Sequence, residues 1–168
     1  STVPPPRLGA IPPGPPPALA TFCKPLAVPI ISMTASRLQP GETVAVIGAG
    51  PIGLLTIACL KIAGAGRIWA IEPVAHRRAL ATHMGADVVL DPGVLDSGEL
   101  DAAREIYRET GNRGVDCAID CAAREGTTNV AIRAARNGGR VVLTGIHSAA
   151  LVPFEVSPMR RKELAIFN

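Results

Sequence analysis

The stretch VIGAGPIGLL (46–55) sets Gly48, Gly50 and Gly53 in a G-x-G-x-x-G spacing. These residue types suit the binding of a dinucleotide pyrophosphate. Gly48 permits a tight strand-to-helix turn, Gly50 lets a phosphate approach bare backbone, and Gly53 lets the helix lie close to the sheet. The first turn of the following helix offers free N–H groups and a partial positive charge to the anion. Pro51 has no N–H, so Ile52 and Gly53 are the expected donors. Glu72 lies 24 residues after Gly48, where a carboxylate can accept bonds from the adenosine ribose hydroxyls. A 2′-phosphate at that place would be repelled, so NAD is expected over NADP. The basic run His76, Arg77 and Arg78 follows closely; it could tolerate the extra phosphate, Arg77 could cover the adenosine, or all three could be a solvated first turn.

The motif needs a strand before it and a helix after it, and the surrounding pattern supplies both. Strands are expected at Thr43–Ile47, Arg67–Ile71, Asp87–Leu90, Val115–Asp120, Arg140–Thr144 and Glu163–Phe167. Helices are expected at Pro51–Ala63, Val74–Met84, Gly98–Thr110 and Arg124–Arg136, with a short one after Pro29. Near-continuous apolar strands alternating with helices imply an α/β fold: a doubly wound, parallel six-stranded sheet of Rossmann type, order 3-2-1-4-5-6. Residues 1–21 hold a proline cluster and read as an extended, polyproline-like arm, with residues 22–168 as the binding domain.

The 168 residues are 48% apolar and 18% charged, which excludes general disorder. Five aromatic side chains are too few for a base-stacking surface, and a net charge of +3 is too mild for a polyanion partner. Arg160-Arg161-Lys162 reads as a solvated turn rather than a nucleic-acid patch. The uncharged run Thr43 to Leu60 approaches a membrane span in length, but Gly48, Gly50, Pro51 and Gly53 divide it, so no membrane partner is expected. Four cysteines do not form a disulfide framework in a chain of this size, and no basic, apolar leader is visible; the expected compartment is the cytoplasm.

The segments PLAV (25–28), LQPGETVAVIGAGPIGLL (38–55), AGAGRIWAIEP (63–73), MGADVVLDP (84–92), GVDCAID (114–120), GGRVVLTGI (138–146) and RRKELAIF (160–167) carry a wider likeness. From Phe22 to Asn168 the sequence resembles the cofactor-binding domain of the medium-chain dehydrogenase/reductase family, the zinc-type alcohol and polyol dehydrogenases. The resemblance implies an NAD(P)-dependent oxidoreductase that moves a hydride between a nicotinamide and an alcohol or carbonyl substrate. It places Thr144, Gly145 and Ile146 along the nicotinamide, and Ala165 and Phe167 at its carboxamide. Cys121 and Ala122 would border the adenine side. It also implies a homodimer joined through the last strand, whose edge would otherwise stay unpaired.

The family's zinc-bearing β domain has no counterpart in this sequence, so zinc is expected of the full-length family and no metal site is expected of this chain. His76 and His83 share a helix face but stand about 10 Å apart. Cys117 and Cys121 are about 13 Å apart along an extended strand. Cys23 stands where alcohol dehydrogenases of the family have their third zinc ligand, but Lys24 replaces the Glu of polyol relatives and cannot ligate as an ammonium. Cys23 is therefore either a remnant ligand or a buried thiol. No catalytic residue is assigned: there is no G-x-S-x-G elbow, and Tyr107 and Lys61 are not in a Y-x-x-x-K relation. Three other readings compete: a non-catalytic dinucleotide-binding or oligomerisation module, an FAD protein with the same fingerprint, and a methyltransferase. The unbroken strand–helix alternation argues against FAD.

Overall fold

A computed structural model describes residues 13–14, 16–94, 99–149 and 151–168. The expected sheet is present: six strands, all parallel, in the order β3-β2-β1-β4-β5-β6. They are β1 (Thr43–Ile47), β2 (Arg67–Ile71), β3 (Val88–Leu90), β4 (Val115–Asp120), β5 (Ala135–Leu143) and β6 (Ala165–Phe167). The helices are α1 (Pro17–Ala20), α2 (Cys23–Ser36), α3 (Pro51–Ile62), α4 (Ala75–Met84), α5 (Glu99–Glu109), α6 (Thr127–Ala134) and α7 (Val156–Arg161). The strand order reverses between β1 and β4, which opens a crevice at their C-terminal ends.

Each central strand is apolar on both faces because helices cover both. Ala45, Ile47, Trp69, Ile71 and Ala118 pack with Ile106 of α5 and Ile132 of α6. Val44, Val46, Ile68, Cys117 and Ile119 pack on the other face with Ile57 and Leu60 of α3 and Ala81 of α4. Each fully buried Val, Leu or Ile side chain contributes about 1.5–3 kcal/mol over its exposed state. Trp69 is 1% exposed; its ring N–H donates to Glu109 at 3.0 Å, and the Arg67 guanidinium lies 4.6 Å from the ring centroid.

At the N-terminal ends of β1 and β4, Asp116 collects several donors. Its carboxylate accepts from the Thr43 N–H and hydroxyl, from Arg113, and from Arg136 at 2.7 Å. These bonds outweigh the desolvation of the buried group and hold the carboxyl well below the usual range. This end of the sheet is structural and lies opposite the crevice.

Several expectations change. The proline-rich arm falls largely outside the described residues, but Pro17–Ala20 is a helical turn rather than extended chain. Pro17 occupies the first helical position, where its missing N–H costs nothing. Helix α2 starts at Cys23 and runs through Pro29 instead of starting after it. The buried Pro29 removes one helical bond, a loss made tolerable by the packing of α2 against α3 and β5. Together Pro17–Ser36 make a helical stretch of 20 residues with mean hydropathy 1.4, long and apolar enough by those measures to cross a membrane. The run Thr43 to Leu60 does not: it is split into β1 and α3. Helix α6 ends two residues early and β5 starts at Ala135, because Val115 of β4 pairs with Ala135 before a bulge shifts the register. Helix α7 was not anticipated.

Candidate functional site

The turn from β1 into α3 has the geometry a pyrophosphate requires. Gly48 has φ +89°, and its N–H donates to the Ile71 carbonyl at 2.8 Å. A side chain there would also press on Ala122. Gly50 is the N-cap of α3, with no side-chain capping bond, so the first N–H groups of the helix, Ile52 and Gly53 among them, are left for a ligand. A methyl on Gly50 would meet nothing within 4 Å. A methyl on Gly53 would stand 2.9 Å from the Gly48 carbonyl carbon and overlap its oxygen. The helix can therefore approach the strand only with glycine at 53.

Glu72, just past β2, is 3% exposed. One carboxylate oxygen accepts from the Ala49 N–H at 2.8 Å and the other from the Val74 N–H at 3.0 Å. Each oxygen keeps a second lone-pair direction for a hydroxyl donor. Arg77 stands 4.0 Å from the same carboxylate. Arg78 is committed elsewhere: it donates to the Glu72 and Pro73 carbonyls at 2.9 and 2.7 Å and pairs with Asp91 at 2.7 Å. His76 lies in the first turn of α4, which is exposed.

A cavity of about 210 Å³ gathers these parts at the ends of β1, β2 and β4. Gly48, Gly50, Glu72, Arg77, Cys121 and Ala122 line it, with Ile47, Ile71, Val74, Arg124 and Thr127. Sequence reasoning named none of these last five as site residues. Arg124 and Thr127 sit in the turn after β4 and the start of α6, and only the folded crossover brings them to the crevice. Burial pushes the Cys121 thiol up to about 12, and its sulfur lies 3.6 Å from the Thr56 hydroxyl, so it is an uncharged wall of the cavity. Asp120 fixes the neighbouring turn: it accepts from the Ala122 and Ala123 N–H groups and from the Thr127 and Thr128 hydroxyls.

The second group of expected residues lies outside this cavity: Thr144, Gly145 and Ile146 follow the C-terminal end of β5, whereas Ala165 starts β6 level with Arg140, Cys117 and Val44, back from the crevice. Thr144 and Gly145 follow β5, and both N–H groups donate to the Asp120 carbonyl at 2.9 Å. The Thr144 hydroxyl is 2.8 Å from that of Ser32 on α2. Ile146 is 95% exposed. Ala165 and Phe167 begin and end β6, paired with Arg140 and Val142. Pro51 opens α3.

The zinc expected of the full-length family does not fit these residues. Among the described residues no three His, Cys, Asp or Glu side chains come close enough to hold a metal ion. Cys23 is exposed at the start of α2 and is not a buried thiol. His76 and His83 lie on α4, and His147 lies in the loop after β5.

Known proteins are similar to this chain in sequence and fold. Residues 51–168 match a family model described as zinc-binding dehydrogenase. A sorbitol dehydrogenase of Bacillus subtilis is 32% identical over 149 residues, 89% of this chain and 41% of that protein. An (R,R)-butanediol dehydrogenase of the same organism is 37% identical over 123 residues, 73% of this chain and 34% of that protein. The solved alcohol dehydrogenase TADH from Thermus sp. ATN1 has a TM-score of 0.82 and 30% identity, covering 92% of this chain and 44% of that one. A zinc-binding dehydrogenase from Sinorhizobium meliloti 1021, solved bound to NADP, has a TM-score of 0.76 and 31% identity, covering 87% of this chain and 42% of that one. The chain spans less than half the length of these proteins.

Proposed function

The chain belongs to the zinc-binding dehydrogenase family, and on that premise we propose that it binds NAD as the cofactor domain of an alcohol or polyol oxidoreductase. The nicotinamide supplies hydride chemistry when bound. This chain's residues bind and orient: the amides of Ile52 and Gly53 receive the pyrophosphate, Glu72 holds the adenosine ribose, and Cys121, Ala122 and Arg124 enclose the adenine. Thr144, Gly145 and Ile146, past the end of β5, would meet the nicotinamide, with Phe167 at the end of β6 and Ala165 two residues before it on the carboxamide side.

The observation that carries the cofactor preference is the state of Glu72. Its buried carboxylate faces the cavity, and Arg78, a cation that could have neutralised a 2′-phosphate, is tied to Asp91 and two carbonyls. Arg77 lies beside it, 4.0 Å away, and Arg124 lines the same cavity. A phosphate there would meet a fixed negative charge at short range. Titration of this chain with NADH and NADPH tests the reading. NADH is expected to bind tighter by about 10-fold or more, the size of one unfavourable charge contact. Equal affinities would overturn the preference, and no binding of either would overturn the function.

The chain is also proposed to form a homodimer in the cytoplasm. Strand β6 pairs with β5 on one side only among the described residues, and a second copy could continue the sheet there. The four cysteines are free thiols, in keeping with a reducing compartment. Light scattering is expected to give the mass of two chains; a monomer at high concentration would end the dimer proposal.

A further inference from the structure

The charged run at the end of α7 does not behave as a solvated turn throughout. The Lys162 side chain folds back, and its ammonium donates to the carbonyls of Ile132, Arg133 and Ala135 at 3.1, 2.6 and 2.8 Å. Those carbonyls close α6 and open β5, where a helix leaves acceptors unpaired and presents its negative end. An ammonium has three protons and here has three acceptors. The same ammonium lies 4.7 Å from the Tyr107 ring centroid. The Lys162 carbonyl accepts from the Gly138 N–H at 2.6 Å.

Beyond Lys162 the chain packs Leu164, Ile166 and Phe167 against the core. Glu163 has φ +53°, a left-handed conformation that disfavours every side chain. It closes α7 by giving its N–H to Arg160, while the Leu164 N–H goes to Met159. Strand β6 then has only three paired positions against β5. In a doubly wound sheet one mononucleotide lies on each half of the crevice. The Gly48 and Glu72 cavity opens at the ends of β1, β2 and β4, so the second mononucleotide falls to the remaining ends of the β4–β6 half, those of β5 and β6. Helix α6 ties that half together: Thr127 and Thr128 hold Asp120 at the end of β4, and Lys162 holds the lead-in to β6 at the opposite end.

We infer that Lys162 is a positioning residue for the nicotinamide half of the cofactor, acting by pegging the lead-in of β6 to the carbonyl end of α6. The inference rests on the proposed dinucleotide binding. Calorimetry with NADH and with ADP-ribose, which lacks the nicotinamide, separates the two. In Lys162→Met, NADH affinity is expected to fall about 10-fold while ADP-ribose affinity stays within about 2-fold, as for a small displacement of one half-site. Lys162→Arg, whose guanidinium can also donate to several carbonyls, is expected to recover most of the loss. An equal fall for both ligands in a folded variant, or an unchanged NADH affinity, overturns the inference. If Lys162→Met does not fold, Lys162→Gln, which keeps two donors, is read by the same ratio. Native chain that binds ADP-ribose as tightly as NADH also overturns the inference but leaves dinucleotide binding in place. Native chain that binds neither removes dinucleotide binding itself.

Discussion

Gly50→Ala is expected to leave the chain folded and to abolish tight NADH binding, whereas Gly53→Ala is expected to damage the fold itself. The two glycines belong to one motif, yet their surroundings differ. Gly50 has φ −69° and ψ −175°, which alanine adopts without strain, and open space where a methyl would go. That space is the proposed seat of the pyrophosphate, so the methyl would displace the ligand and not the protein. The expected result is a melting temperature within a few degrees of the parent and a loss of about 100-fold in NADH affinity, as from a misplaced reacting group. At Gly53 the methyl meets the Gly48 backbone, and neither the strand nor the helix is free to yield. Forcing them apart costs about 3 kcal/mol or more, a large share of a normal domain's stability. Thermal melts and NADH titrations on both variants check the pair. Wild-type affinity in Gly50→Ala would mean that no phosphate lies over that backbone.

Glu72→Gln is expected to weaken NADH binding by about 10-fold or more and to narrow the gap between NADH and NADPH, since one charge contact is worth about that much. The amide keeps the shape of the side chain but accepts at one oxygen only. Its NH2 would face either the Ala49 or the Val74 N–H, each now bonded to a carboxylate oxygen. Leaving one buried donor unpaired costs about 1–3 kcal/mol, so the melting temperature should fall as well. The two readouts separate the roles. A fall in stability with unchanged NADH affinity would make Glu72 a brace for the glycine turn and nothing more. A fall in affinity with an unchanged NADH to NADPH ratio would remove it from the ribose site.

The sheet was legible because each central strand is a run of buried apolar residues bounded by glycine or charge, a signal that needs no distant partner. Val44–Ile47 and Cys117–Ile119 show it plainly. The glycine turn and Glu72 were legible for the same reason: the spacing is local, and the chemistry follows from it. What escaped the sequence depends on contacts across long stretches of chain. The true start of β5 at Ala135 is set by pairing with Val115, 20 residues away. The reach of Lys162 to α6 crosses 27 to 30 residues. The capture of Arg78 by Asp91 decides whether a basic run is free, and it too depends on the folded turn after β3. The start of α2 was misplaced because Pro29 reads as a helix breaker in isolation, while packing on α3 lets the helix pass through it.

The buried indole of Trp69 has a practical use. The sequence holds one tryptophan, enclosed by the core, hydrogen-bonded to Glu109 and stacked beneath Arg67. Its emission should lie to the blue in the folded chain and move to the red once water reaches the ring. The molecule thus carries an intrinsic optical gauge of its own unfolding, and a spectrum of each substituted form can separate a collapsed scaffold from an intact one with a disabled crevice.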